Sequence, residues 1–297
     1  RTYDESSGVA LWSSAPSITG SAGSLTVTQA TSTVDGNSNT IYIGHNDGLS
    51  VINEKAGDAT NGAVKYYTNN RITEEMAGDI RLMAPLNGTL STSTAANTTI
   101  ANADASVKLN PLTTSGAEGQ PAYATGVRGT GLTFDGVNDY ICTGTTGTCA
   151  DDADLDVTTA VTVGAWVKPN STTDKYFLSK YTDAGQRSYV LFTSSSKFAF
   201  DTKASSEVTA TGTTTFSTGN WYFVVGVYDG VNVKIYVNGV FEAQSALAGT
   251  ISDSTAALVI GGESAGGQNF AGTIDEPFVT AEALTPGQIK RMYEVGK

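Results

Sequence analysis

The chain has 297 residues, 17 Lys plus Arg against 29 Asp plus Glu, a formal net charge of −12, and only 15% charged residues. This balance excludes a phosphate-tracking nucleic-acid binder and electrostatic docking on anionic membranes, since both need clustered positive charge. With 33 Gly, many Thr and Ser, and 3 Met, the composition favours short strands and turns over long helices and predicts an all-β, secreted protein.

Residues 1–78 hold short strand-like runs separated by Gly, Asn and Asp. Ser24-Leu25-Thr26-Val27-Thr28 alternates with period two. Thr40 to Gly44 and Leu49 to Asn53 flank a Gly-His-Asn-Asp-Gly turn, which is a hairpin signature, and Ala63 to Tyr67 is a further short strand. His45, in that turn, is the only histidine. A His-rich zinc site is therefore excluded, and a Ser-His-Asp triad would have to use this one residue, which reads as a solvated turn residue. Residues 40–53 (TIYIGHNDGLSVIN) resemble one hairpin of a β-propeller blade. A propeller needs at least about four blades, so 1–78 is expected to be a smaller β module, a blade-like remnant or a strand-donating segment. Its strands would pack on the downstream domain, on another copy, or on sequence outside this chain. The start at Arg1 without Met fits a piece of a longer precursor.

Residues 88–120 are rich in Thr, Ser, Ala and Asn and are expected to form a long loop within the following domain. Asn87, Asn97 and Asn170 open glycosylation sequons of the kind a Thr-rich chain produces by chance. No apolar run is long enough to span a bilayer.

From residue 131 the strand signals are dense. Gly131 to Asp135, Val161 to Val167, Tyr189 to Phe192, Lys197 to Phe200, Trp221 to Val227, Val233 to Val237, Leu258 to Gly262 and Gly272 to Val279 each read as a strand. Asn238-Gly239 is a type I′ turn signal. Cys142 and Cys149 have the wrong spacing for redox or zinc motifs and read best as a disulfide closing a Thr/Gly loop, in an oxidising compartment. Near the end, Thr285 as N-cap, Pro286 at the first helical position, and Ile289, Met292 and Tyr293 at i, i+3 and i+4 predict one amphipathic helix.

Five segments, taken together, resemble laminin-G-like domains of the concanavalin A-type lectin/glucanase superfamily. They are GVRGTGLTFDGVNDYI, VTVGAWVKP, TGNWYFVVGVYDGVNVKIYVNGVFE, LVIGG and GTIDEPFVTAEALTPGQIKRMY, in that order, with Leu82 to Gly88 as the opening strand. The resemblance covers residues 79–297 and implies a jelly-roll β-sandwich with a short C-terminal helix. Trp166, Trp221, Tyr140 and Tyr236 are then expected in the core between the sheets. Tyr176, Tyr181 and Phe270 are candidates for stacking on sugar.

Domains of this type often carry a structural Ca²⁺. The resemblance points to Asp135 and Asp275 as ligands, with Asn138 and Asp139 nearby. The chain's many oxygen donors suit a hard cation of this kind. Asp152, Asp154 and Asp156 lack the Gly and Glu of a calcium-binding helix-loop-helix and read as an acidic turn. Related hydrolases place a Glu-x-Asp-x-x-Glu pattern on one strand, and no such pattern occurs here. Asp275 and Glu276 are adjacent and so are expected on opposite faces of their strand. The sequence is therefore read as non-catalytic and extracellular, at a cell or virion surface. The leading expectation is a structural subunit of a filament, sheath or layer, pairing with copies of itself through β edges. The alternative is a lectin-like adhesion module that binds surface glycans.

Overall fold

The computed structural model describes residues 17–21, 24–28, 39–45, 48–54, 65–66, 80–84, 86, 109–111, 120–145, 148–182, 185–263 and 267–296. The chain divides into two compact units, Arg1–Arg71 and Ile72–Lys297.

In the first unit, β1 (Ser17–Ser21) and β2 (Ser24–Thr28) form an antiparallel hairpin. β3 (Asn39–His45) and β4 (Gly48–Glu54) form a second, with β5 (Lys65–Tyr66) added at its edge. The hairpin read from 40–53 is thus present. The side chain of His45 lies outside the described residues, as do most of 88–120, Asn87 and Asn97.

The second unit begins with β6 (Ile80–Met83), β7 (Leu109–Pro111), β8 (Ala122–Thr125), β9 (Thr130–Asp135), β10 (Ile141–Thr145) and β11 (Thr148–Cys149). It continues with β12 (Val161–Pro169), β13 (Tyr176–Tyr181), β14 (Arg187–Ser194), β15 (Lys197–Lys203) and β16 (Glu207–Thr215). Then follow β17 (Tyr222–Tyr228), β18 (Asn232–Val237), β19 (Val240–Ala246), β20 (Val259–Ile260), β21 (Ala271–Thr280) and the helix α1 (Pro286–Gly296).

Two antiparallel sheets result. The first has the order β11-β10-β20-β13-β14-β15-β16, with β7 also on β10. The second has the order β19-β18-β17-β12-β21-β9-β8, with β6 also on β21. This is the sandwich that the resemblance implies.

The register shows how the sequence builds it. Ile141, Ile260, Leu178, Leu191, Phe200 and Ala210 are successive ladder partners across the first sheet, and all belong to the main apolar core. From the second sheet, Val161, Val163, Ala165 and Val167 meet them, as their period-two spacing predicts. Asn238 and Gly239, both with positive φ, make the predicted tight turn between β18 and β19.

Trp166 and Tyr236 are buried, but not between the sheets. They lie on the other face of the second sheet with Phe223, Val225 and Phe278, under Ile289 and Met292 of α1. The physical reason is parity: Trp166 is flanked by the inward-facing Ala165 and Val167, so it must point outward. α1 covers that face. Its capping is as predicted, with Thr285 Oγ1 accepting from Gln288 N at 3.3 Å and Gln288 Oε1 accepting from Thr285 N at 2.9 Å. Trp221 is only half-buried, with Lys168 Nζ 5.4 Å from its ring centre. Tyr140 packs with Cys142, Ala257, Val259 and Cys149 in a small cluster of its own.

Candidate functional site

Cys142 and Cys149 are joined by a disulfide, which ties β10 to β11. Their cluster with Tyr140 occupies one end of the outer face of the first sheet. The rest of that face follows from register, because directly paired residues share a face. Cys142, Val259, Ser179, Val190, Asp201 and Thr209 are successive partners and make its central row. Tyr176, Phe192, Ala199 and Thr211 make the row to one side. Tyr181 and Arg187, which are paired, and Lys203 and Glu207, also paired, make the row to the other side.

The side chains of this face interlock. The Tyr176 ring is 5.5 Å from Tyr181 and 5.8 Å from Phe192, edge-on to both. The Arg187 guanidinium lies 5.1 Å above the Tyr181 ring. Glu207 receives the Tyr181 hydroxyl on Oε1 at 2.5 Å and Arg187 on Oε2. Burial, then Glu207, pushes the Tyr181 hydroxyl well above its ordinary pKa, so it stays a donor. Asp201 is only 8% exposed. Its Oδ2 accepts the Thr209 hydroxyl at 2.9 Å, while its Oδ1 is buried with no hydrogen-bond partner. Burial pushes Asp201 up to about 7, with the Thr209 bond pulling down, Glu207 raising and Arg187 lowering. Aromatic rings beside a few fixed polar groups suit a ligand with both apolar and hydroxylated faces.

Of the three aromatic candidates from sequence, Tyr176 and Tyr181 are on this face. Phe270 is not: it is buried in the main core with its ring 5.8 Å from Phe177. Arg187, Phe192, Asp201 and Glu207 were missed. For Asp201 the signal is the alternation of β15, where apolar Phe198 and Phe200 face inward and force Asp201 outward.

The four residues named for calcium are not gathered into one site. Asp135, Asn138 and Asp139 form a turn, in which Asp135 Oδ1 accepts from Val137 N at 2.7 Å and from Asn138 N at 3.2 Å. Asp139 Oδ2 accepts from Asp135 N at 2.8 Å. Asp275 is elsewhere. Asp135 pairs with Ala271, four positions back along β21, a separation of roughly 13 Å at strand rise. The Asp275 carboxylate is taken up by three backbone donors, Val127 N and Arg128 N on Oδ2 and Glu276 N on Oδ1. Among the described residues no group of three or more His, Cys, Asp or Glu is placed to hold a metal. This donor set therefore does not fit a shared cation.

Asp275 and Glu276 lie where the regular alternation of the strand is interrupted. The ladder shifts register between Gly164 and Trp166, and Glu276 has φ 46°. Arg128 acts electrostatically on both carboxyls. Burial raises the pair. Asp275 has three N–H donors that favour its charged form, whereas Glu276 Oε2 is buried with no partner.

The acidic triplet has a structural use. Asp152 caps a single 3₁₀ turn, Ala153–Leu155. Asp156 and the neighbouring Asp151 pair with the fully buried Lys180 at 2.8 and 2.5 Å. Lys180 Nζ also donates to the carbonyls of Ser254 at 2.7 Å and Ala256 at 2.9 Å.

The second unit is similar in structure to domain 4 of AbnA, an extracellular arabinanase from Geobacillus stearothermophilus solved with arabinotriose. The identity is 19%, the TM-score 0.53, and the match covers 73% of this chain and 100% of that one. It is also similar to the binding domain of Paraclostridial Mosquitocidal Protein 1, at 9% identity and TM-score 0.53, covering 72% of this chain and 52% of that one. A third similar structure comes from botulinum neurotoxin type C, whose cell entry depends on interaction with two ganglioside molecules. Its identity is 11% and its TM-score 0.52, covering 74% of this chain and 51% of that one. The chain thus spans about half the length of these toxin chains. No curated protein matches it. Residues 135–290 match the family described as the concanavalin A-like lectin/glucanases superfamily. With the two sheets, the outward-facing row of paired residues and the C-terminal helix in place, the chain belongs to that superfamily.

Proposed function

We propose that the second unit is a non-catalytic carbohydrate-binding module of an extracellular protein, and that it takes its ligand on the outer face of the first sheet. The observation that carries this is the grouping of Tyr176, Tyr181 and Phe192 beside Asp201, Arg187 and Glu207. The similar arabinanase domain was solved with a sugar, and the similar toxin depends on gangliosides, which supports the reading. The disulfide suits an oxidising compartment. Among the described residues no helix is long and apolar enough to cross a membrane. Binding is favoured over hydrolysis because both Glu207 oxygens are engaged by Tyr181 and Arg187. The test is a glycan array followed by titration of hits. Tyr181→Ala and Phe192→Ala are expected to weaken binding at least about tenfold, with no release of reducing sugar. An array without hits, or hits indifferent to both variants, refutes the proposal.

A second reading, assembly with copies of itself, draws on one observation. β19 is the edge of the second sheet and carries Val240 and Phe241, 64% and 47% exposed. Light scattering and negative-stain microscopy, with and without calcium, test it. Polymers lost in Phe241→Lys support it, and a monomer at high concentration refutes it.

A further inference from the structure

β16 ends the first sheet and pairs with β15 on one side only. Its segment from Thr209 to Thr215 (TATGTTT) carries no charge and no proline, and Thr209, Thr211, Thr213 and Thr215 are exposed. The one charged residue of the strand, Glu207, lies at its start and is engaged by Tyr181 and Arg187. An uncharged edge strand rich in β-branched residues readily adds a further strand, so such an edge needs a device that blocks it.

That device comes from the other sheet. Glu242 of β19 accepts on Oε2 from Thr213 N at 2.8 Å and from Thr214 N at 3.1 Å, and on Oε1 from the Thr214 hydroxyl. Ser245, also of β19, donates its hydroxyl to Thr209 O at 2.8 Å. The ladder explains why two consecutive amides are available to one carboxylate. Lys197 pairs with Thr215 and Ala199 with Thr211, so Gly212, Thr213 and Thr214 bulge out against the single residue Phe198. A Cβ at Gly212 would collide with Glu242 Oε2, so the absence of a side chain there is what lets the carboxylate seat.

We infer that Glu242 is the guard of the first sheet: seated in the bulge of β16, it keeps that edge from pairing, and a chain that loses it pairs through β16 with β16 of a second copy.

The partner is a second copy because the strand fits itself. Antiparallel pairing of residues 209–215 with their counterparts opposes no like charges and sets threonines across from uncharged residues, threonine among them. A contact of one surface with itself closes as a twofold dimer and does not propagate. This edge is separate from the exposed edge of β19, and the inference stands apart from the carbohydrate-binding reading.

The experiment compares the full chain with Glu242→Ala, with Glu242→Gln, and with Glu242→Ala combined with Thr213→Pro. Light scattering over a concentration series reads association, and hydrogen exchange reads the amides of Thr213 and Thr214. In the unaltered chain both amides are expected to be protected at every concentration. In dilute Glu242→Ala they are expected to exchange at least about tenfold faster. They should slow again as a dimer forms, at a concentration at least about tenfold below any at which the unaltered chain associates. Thr213→Pro removes an edge N–H and is expected to return that variant to a monomer. Glu242→Gln keeps one acceptor oxygen and should lie between the unaltered chain and Glu242→Ala. A folded Glu242→Ala that associates no more readily than the unaltered chain overturns the inference. So does a dimer that persists with Thr213→Pro, since it must use another surface. If Glu242→Ala fails to fold, Glu242→Gln decides by the same two measurements.

Discussion

The Phe200 ring of one sheet occupies the space where Gly226 of the other would carry a Cβ. Gly226 lies on the inner face of β17, opposite Val163 and Ile235. The absence of a side chain lets the aromatic ring sink between the sheets. Gly226→Ala is therefore expected to force Phe200 off its seat and cost about 1–3 kcal/mol. Urea denaturation checks it. A midpoint unchanged from the unaltered chain would show that the sheets can separate at no cost.

The acid response has a definite sign. Burial, and then Asp275, pushes Glu276 up to about 7, and burial likewise pushes Asp201 up to about 7. Both values lie above the ordinary range near 4. The folded state therefore holds these protons more tightly than the unfolded chain does. The stabilisation is fully present below about pH 4 for these two groups and is lost as pH rises through about 7. The melting temperature is expected to rise by several degrees, about 3–8 °C, as pH falls from about 8 to about 5. Glu276→Gln should remove part of that slope. A melting temperature that climbs with pH over this window contradicts the assignment.

Lys180 is completely buried yet bonded to Asp151, Asp156 and two carbonyls. Lys180→Met removes the charge and leaves all four partners without it. Both carboxylates retain some access to water, so the cost is expected at the lower end of the range for a broken buried pair, about 3 kcal/mol. Chemical denaturation monitored by tryptophan fluorescence measures it. A loss below about 1 kcal/mol, the level of a surface pair, would show that the cluster is not buried in solution.

The disulfide closes a short loop with a sequence separation of 7. Replacing both cysteines by serine is expected to cost about 2–3 kcal/mol. It should also loosen the Tyr140 cluster at one end of the outer face, without altering sugar binding at Tyr176 and Phe192. Thermal melts, with sugar titration of the double variant, test both parts. Loss of binding with the fold intact would extend the site to that end of the sheet.

Much of this architecture is legible in the residues themselves. Val161 to Val167 announce their inner face by alternation, Asn238-Gly239 its turn, and Thr285-Pro286 the start of α1. Which layer receives Trp166 is not legible without knowing that a helix covers the second sheet. The outer face of the first sheet was hidden for a different reason. Its interlocking side chains come from four strands, and a lone Asp or Tyr on the outward side of a strand looks the same whatever it touches. Glu276 shows a third limit: the parity rule does not hold at a bulge, and only Pro277, which an internal strand admits at such an irregularity, marks it in advance.

β21 lies inside the second sheet, with β12 on one side and β9 and β6 on the other. Yet it follows all three of these partners in the chain. On a ribosome, β6, β9 and β12 emerge first and must wait with open edges until β21 leaves the exit tunnel. Closure is thus tied to the synthesis of β21, and a stop ahead of Ala271 would release a chain with exposed edges rather than a shorter domain.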